Sequence, residues 1–183
     1  MDCIRQPPPL DSTLAALDYI YPWSVLVSAY KFGDQPGWAP FFAGLLLKSP
    51  GIGKALMDLQ AADLILPVPL SKERLQTRGF NQSWELVKAL AQQSASLART
   101  SSTLLLRVKN TRPQTELKRE ARLTNVKGAF QVDPLRVAEL QGRRVVLIDD
   151  VMTSGASLCA AAAVLRAAGA AHITGIVLAR TPQ

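Results

Sequence analysis

The sequence predicts an α/β fold, a parallel sheet with helices on both faces, preceded by a small helical region. Three observations predict it. Four short apolar runs bounded by turn residues read as buried strands. Two longer stretches with helical apolar spacing alternate with them, and strand–helix alternation requires crossovers that make the sheet parallel. The chain has 183 residues, 48% of them hydrophobic and 19% charged, enough to bury the core of one domain with or without a small appendage.

In chain order, residues 1–13 read as an extended arm because of Pro7-Pro8-Pro9. Residues 14–60 read as a helical hood. Tyr19, Trp23, Tyr30, Trp38, Phe41 and Phe42 are expected to supply its core, with a turn at Lys31-Phe32-Gly33-Asp34 and Gln35-Pro36-Gly37. Residues 61–183 form the main body. Asp63–Leu70, closed by two prolines, is the first buried strand. Asn81–Ala98 is a helix with apolar Trp84, Leu86, Val87, Leu90 and Leu97, and Asn81 is its expected cap. Thr103–Val108 reads as a second buried strand, followed by a polar, basic loop from Lys109 to Lys127. Val145–Ile148 is the third strand, Leu158–Ala168 an Ala-rich helix stopped by Gly169, and Ile173–Leu178 the fourth strand.

Composition narrows the function. No apolar run approaches the ~18 residues of a membrane span. No basic stretch leads into an apolar one as in a secretory signal. Cys3 and Cys159 cannot build a disulfide framework, which points to the cytoplasm. The net charge of +7 is concentrated: between Lys72 and Lys127, twelve basic residues stand against four acidic ones. A local anionic partner, either a phosphorylated small molecule or a nucleic-acid backbone, fits that segment. His172 and Cys159 read as structural, and no Ser/His/Asp or Cys/His set is present.

The chemistry concentrates in Val145-Val146-Leu147-Ile148-Asp149-Asp150-Val151-Met152-Thr153-Ser154-Gly155-Ala156-Ser157. An apolar strand ends in two adjacent carboxylates, and a hydroxyl-rich turn with one glycine then opens a helix. The first amides of a helix have no intrahelical partner and lie at the positive end of its dipole, so they favour a phosphate. Thr153, Ser154 and Ser157 add hydroxyl donors, and Gly155 permits close backbone approach. Asp149 and Asp150 would repel that phosphate, but one sugar length away they suit ribose hydroxyls. Open α/β sheets bind ligands at this place, the carboxyl end of a strand. An ordinary strand–helix turn would not need two adjacent acids. A Walker A loop is excluded, since Gly51-Ile52-Gly53-Lys54 lacks its spacing.

This segment resembles the phosphate loop of type I phosphoribosyltransferases, which take 5-phosphoribosyl-1-diphosphate (PRPP). The resemblance extends through Pro67-Val68-Pro69-Leu70, Arg74, Arg78-Gly79-Phe80-Asn81-Gln82, Thr111-Arg112-Pro113-Gln114-Thr115, Arg122 and Asn125-Val126-Lys127-Gly128-Ala129-Phe130. Together these are similar to the ComF family, phosphoribosyltransferase-like proteins associated with DNA uptake and competence. Ser154 and Ser157 stand where that family usually has threonines.

The resemblance implies a type I phosphoribosyltransferase-like fold with a helical hood, and a set of roles. Asp149 and Asp150 would hold the ribose hydroxyls, while Thr153, Ser154, Gly155, Ala156 and Ser157 cradle the 5′-phosphate. Leu70, Ser71, Lys72, Arg74 and Arg78 would meet the diphosphate. Arg112, Gln114, Lys118, Arg119 and Arg122 would belong to a closing loop or to a DNA-binding surface, with Arg122 joining the acid pair in catalysis. Magnesium would accompany PRPP. The implied activity is phosphoribosyl transfer. The alternative is a non-catalytic module for single-stranded DNA or a DNA-processing partner. The family usually begins with a zinc ribbon of paired cysteines; only Cys3 stands here, so no structural zinc is expected.

Overall fold

The computed structural model describes residues 9–33, 35–109 and 126–182. Five strands form the main sheet: β1 (Ser12–Asp18), β2 (Leu64–Pro67), β3 (Arg99–Thr100), β6 (Arg144–Met152) and β7 (His172–Arg180), in the order β1-β7-β6-β2-β3. Every pairing is parallel. The two remaining strands, β4 (Leu105–Arg107) and β5 (Phe130–Val132), pair antiparallel as a separate ribbon.

Side chains alternate across a strand, so the central strands feed two cores. On one face Ile65, Val146, Ile148, Ile176 and Leu178 pack against α1 (Trp23–Phe32), α2 (Ala39–Lys48), α3 (Ile52–Met57) and α5 (Gln82–Gln93). Tyr30, Phe42, Leu46, Leu86 and Leu90 fill that layer and are fully buried. On the other face Leu64, Leu66, Val145, Leu147 and Val177 pack against Leu158, Ala161, Ala162 and Leu165 of α6 (Ala156–Ala167), together with Leu104, Leu105 and Phe130. The alanines of α6 let it lie close to the sheet, where Gly175 of β7 would bring an added Cβ within 3.6 Å of Leu158.

The structure departs from the sequence reading in four places. Residues 12–18, divided there between arm and hood, form β1, and the helices begin only at Trp23. The alanines and leucines of Leu14–Leu17 are good helix formers, but β7 offers an edge to pair with, and tertiary pairing overrides propensity. The run Thr103–Val108 does not join the main sheet; it supplies β4 to the ribbon, and Arg99–Thr100 takes the edge beside β2. An apolar run alone cannot distinguish these two placements. Leu70–Lys72, which the resemblance makes a diphosphate-binding loop, leads straight into the helix α4 (Lys72–Arg78), capped by the Ser71 hydroxyl, which accepts from the Arg74 N–H, and stopped by Gly79 at φ 79°. Finally, β6 does not stop before the acids but runs through Asp149 and Asp150 to Met152.

Near the opposite end of the sheet, buried Asp63 fixes the register of β2 and β6. One carboxylate oxygen accepts from Gln60 N at 2.8 Å and the other from Arg144 N at 3.0 Å. His172 opens β7 beside Asp11, whose carboxylate also takes Arg166 and the Ile173 N–H. That cluster anchors the start of β1. Among the described residues no helix is long and apolar enough to cross a membrane.

Candidate functional site

The carboxyl end of β6 and the amino end of α6 frame a small, open hollow of about 20 Å³. Asp149, Thr153, Gly155, Ala156 and Ser157 line it. Gly155 sits in the left-handed region at φ 73° as the N-cap of α6, so the chain turns sharply from strand to helix. The twelve-residue α6 has no acidic residue in its first turn, so the positive end of its dipole is left uncompensated by its own side chains. Ser154 is not part of the wall; its Oγ accepts from Ala156 N at 3.4 Å and shapes the turn.

The two acids behave differently. Asp149 Oδ1 accepts from Ser83 Oγ and from Asp150 N, each at 3.0 Å. Burial and the neighbouring Asp150 charge push its carboxyl up to about 7, against the lowering influence of Lys31 and of the Ser83 hydrogen bond. Asp150 is buried, and its carboxylate forms an ion pair with Lys31 at 3.0 Å while Oδ1 accepts from Val151 N at 2.7 Å. Of the pair, Asp149 lines the hollow and Asp150 does not.

Basic side chains gather around these acids. The half-buried Arg78 donates to Gln82 Oε1 at 2.7 Å and lies 5.0 Å from the centre of the Phe32 ring. Its pKa is lowered by burial and by Arg74, and raised by Asp150. Lys72 is exposed and Leu70 half-buried. Arg107 of β4, stacked 5.3 Å from the Phe130 ring centre, is lowered to about 10 by burial and by Arg74, while Asp149 opposes the change. Asp149, Asp150, Arg74 and Arg78, far apart in sequence, thus lie near one another.

Lys31, Gln82, Ser83 and Arg107 were missed as site residues. Gln82 ends the Arg78-Gly79-Phe80-Asn81-Gln82 motif and Ser83 directly follows it, so helical position after the Asn81 cap could have found them. Lys31 and Arg107 carry no local signal. Arg112, Gln114, Lys118, Arg119 and Arg122 lie outside the described residues, as does Cys3. Among the described residues no group of three or more His, Cys, Asp or Glu side chains could hold a metal ion.

A profile for the phosphoribosyl transferase domain matches residues 69–183. That span begins just after β2 and includes α4, α5, the acid pair, the hollow and β7. The chain is similar over nearly its whole length to curated proteins. It is 34% identical to the DNA utilization protein YhgH of Salmonella typhimurium, over 98% of this chain and 76% of that protein. It is 32% identical to competence protein F of Haemophilus influenzae, over 98% and 77%. It is 33% identical to competence protein ComFC of Bacillus subtilis over 64% of this chain and 45% of that one. With that domain, that fold and those relatives, the chain belongs to the ComF-like family of phosphoribosyl transferase-domain proteins.

Proposed function

We propose that this chain binds a 5-phosphorylated ribose, PRPP in the first instance, at the carboxyl end of β6. The observation that carries the reading is the hollow itself, with Asp149 among its lining residues and the start of a helix free of acidic side chains beside it. The 5′-phosphate would lie against the amides and hydroxyls of 153–157, and a ribose hydroxyl would donate to Asp149. Arg74, Arg78 and Arg107 supply positive charge toward the diphosphate. Magnesium would arrive on the ligand's own diphosphate, the usual way this ion is carried.

Such a site supports displacement at the anomeric carbon. The C1–O bond breaks, diphosphate leaves with the electron pair, and a nitrogen nucleophile forms the new C–N bond and gives its proton to solvent. Arg122 and its neighbours Arg112, Lys118 and Arg119 would stabilise the departing charge.

The test is a thermal shift. With magnesium present and PRPP at about a hundredfold its Kd, ligand linkage of about 2.7 kcal/mol should raise the melting temperature by roughly 5–10 °C. Asp149→Asn should abolish the rise. A wild-type protein whose melting temperature ignores PRPP would reject the reading.

A second reading is favoured by the basic excess between Lys72 and Lys127 and by the DNA named in the YhgH relatives. On it, the segment binds single-stranded nucleic acid through phosphates. Fluorescence anisotropy of a labelled oligonucleotide should then show affinity falling steeply with salt, with log K linear in log salt concentration. A flat salt response would remove this reading.

A further inference from the structure

Lys31 lies in the last turn of α1, 119 residues from Asp150 in sequence, yet its ammonium reaches both oxygens of that carboxylate at 3.0 Å. The side chains of the pair are only 25% and 7% exposed. A solvated surface pair would constrain little, whereas a shielded pair leaves a stranded charge when one partner is lost.

Lys31 is itself held in place. Its carbonyl accepts from Gln82 Nε2 at 3.2 Å, and Gln82 Oε1 accepts from Arg78 Nη1 at 2.7 Å. The Gln82 carbonyl in turn accepts from the Tyr30 hydroxyl at 2.7 Å, and Gln82 is 1% exposed. A buried, connected polar network of this kind fixes geometry. Asp149, by contrast, receives both of its hydrogen bonds on Oδ1, from Ser83 and from the Asp150 amide, and it is the member of the pair that lines the hollow.

We propose that Lys31 is a positioning residue for the ribosyl phosphate. It reserves Asp150 as its ion-pair partner and leaves Asp149 as the one carboxylate of the pair that meets the sugar. Because Asp150 also accepts from Val151, the ion pair steadies the last stretch of β6, from which the phosphate-binding turn departs. The hood helix α1 thereby sets the geometry of a ligand it does not touch. This inference rests on the ribosyl-phosphate reading.

The test uses isothermal titration calorimetry of the full chain with PRPP and magnesium, with unliganded melting temperatures alongside. Lys31→Met should weaken PRPP binding by about tenfold or more, as small misplacements of binding groups do. Lys31→Arg, which keeps the cation, should recover most of that loss. Where Lys31→Met is too unstable to titrate, the double variant Lys31→Met with Asp150→Asn removes the stranded charge and should show the same weakening. A merely structural lysine would lower the melting temperature and leave Kd unchanged. Wild-type affinity in Lys31→Met or in the double variant would therefore overturn the inference while the binding reading stands. A wild-type chain that binds no PRPP would instead bring down the binding reading itself.

Discussion

Tyr30→Ala is expected to destabilise the chain by about 3–5 kcal/mol, the range for removing a buried aromatic ring. Tyr30 is fully buried, its ring meets Phe42 edge-on at 5.3 Å, and Phe80 lies 6.1 Å away. Its hydroxyl donates to the Gln82 carbonyl at 2.7 Å, and its pKa is raised by burial and by the charges of Asp150 and Glu85, so the donor proton stays in place at neutral pH. Tyr30→Phe removes only that bond and should cost about 1–2 kcal/mol. Urea denaturation followed by circular dichroism reads both midpoints. The gap between the two variants measures packing apart from the hydrogen bond. An alanine variant within about 1 kcal/mol of wild type would show that the layer between α1, α2 and α5 is far more plastic than its burial indicates.

Asp149→Asn should make the unliganded protein more stable near pH 8 and, on the ribosyl-phosphate reading, should abolish PRPP binding. The sign follows from linkage. Its folded pKa, about 7, lies above the ordinary carboxyl value of 3.8, so between those values the folded chain holds a proton that the unfolded chain has released. This group's contribution to stability therefore falls as pH rises from about 4 to about 7 and stays low above that. Asparagine keeps an acceptor for Ser83 and the Asp150 amide but carries no charge. The gain over wild type should be near zero at pH 4 and grow through that window. Each pH unit between the unfolded and folded values is worth about 1.4 kcal/mol, so the gain should level off at about 2–4 kcal/mol, discounted for its place in the wall of the hollow. Urea midpoints at pH 4, 6 and 8 give the curve. A difference that is flat with pH would mean that Asp149 titrates in the ordinary range. A residue that destabilises its own fold yet lines the hollow is the expected signature of a binding group.

The parts of the fold that were legible are those where the signal is contiguous. β2, the 145–148 stretch of β6 and the 175–179 stretch of β7 are apolar because both of their faces are covered, and the strand, turn and helix of 145–157 follow one another directly. The Asn81 cap of α5 was readable for the same reason, its side chain accepting from Ser83 N two residues on. α4 could have been read, since Ser71 and Gly79 are ordinary start and stop signals, but its two arginines also suit a loop that meets ligand charge. β1 and β4 were misread because each depends on a partner distant in sequence: β7 for the first, and for the second a three-residue strand too short to announce itself. The site divides in the same way. The acid pair and the hydroxyl-rich turn were visible, but the unequal surroundings of Asp149 and Asp150 were not. That inequality comes from Lys31 and Ser83, carried by α1 and α5, and no local pattern connects those helices to β6.

The placement of β1 outside β7 has a consequence for biogenesis. Ser12 and Thr174, hydroxyl to hydroxyl at 3.0 Å, are separated by 162 residues. A nascent chain therefore presents this strand long before the edge that receives it exists. At ribosomal speeds of about 5–20 residues per second, the wait is roughly 8–30 s. The sheet closes at that edge late, by a pairing of high contact order, and until then the early segment is a candidate for chaperone holding or for pairing with the wrong neighbour.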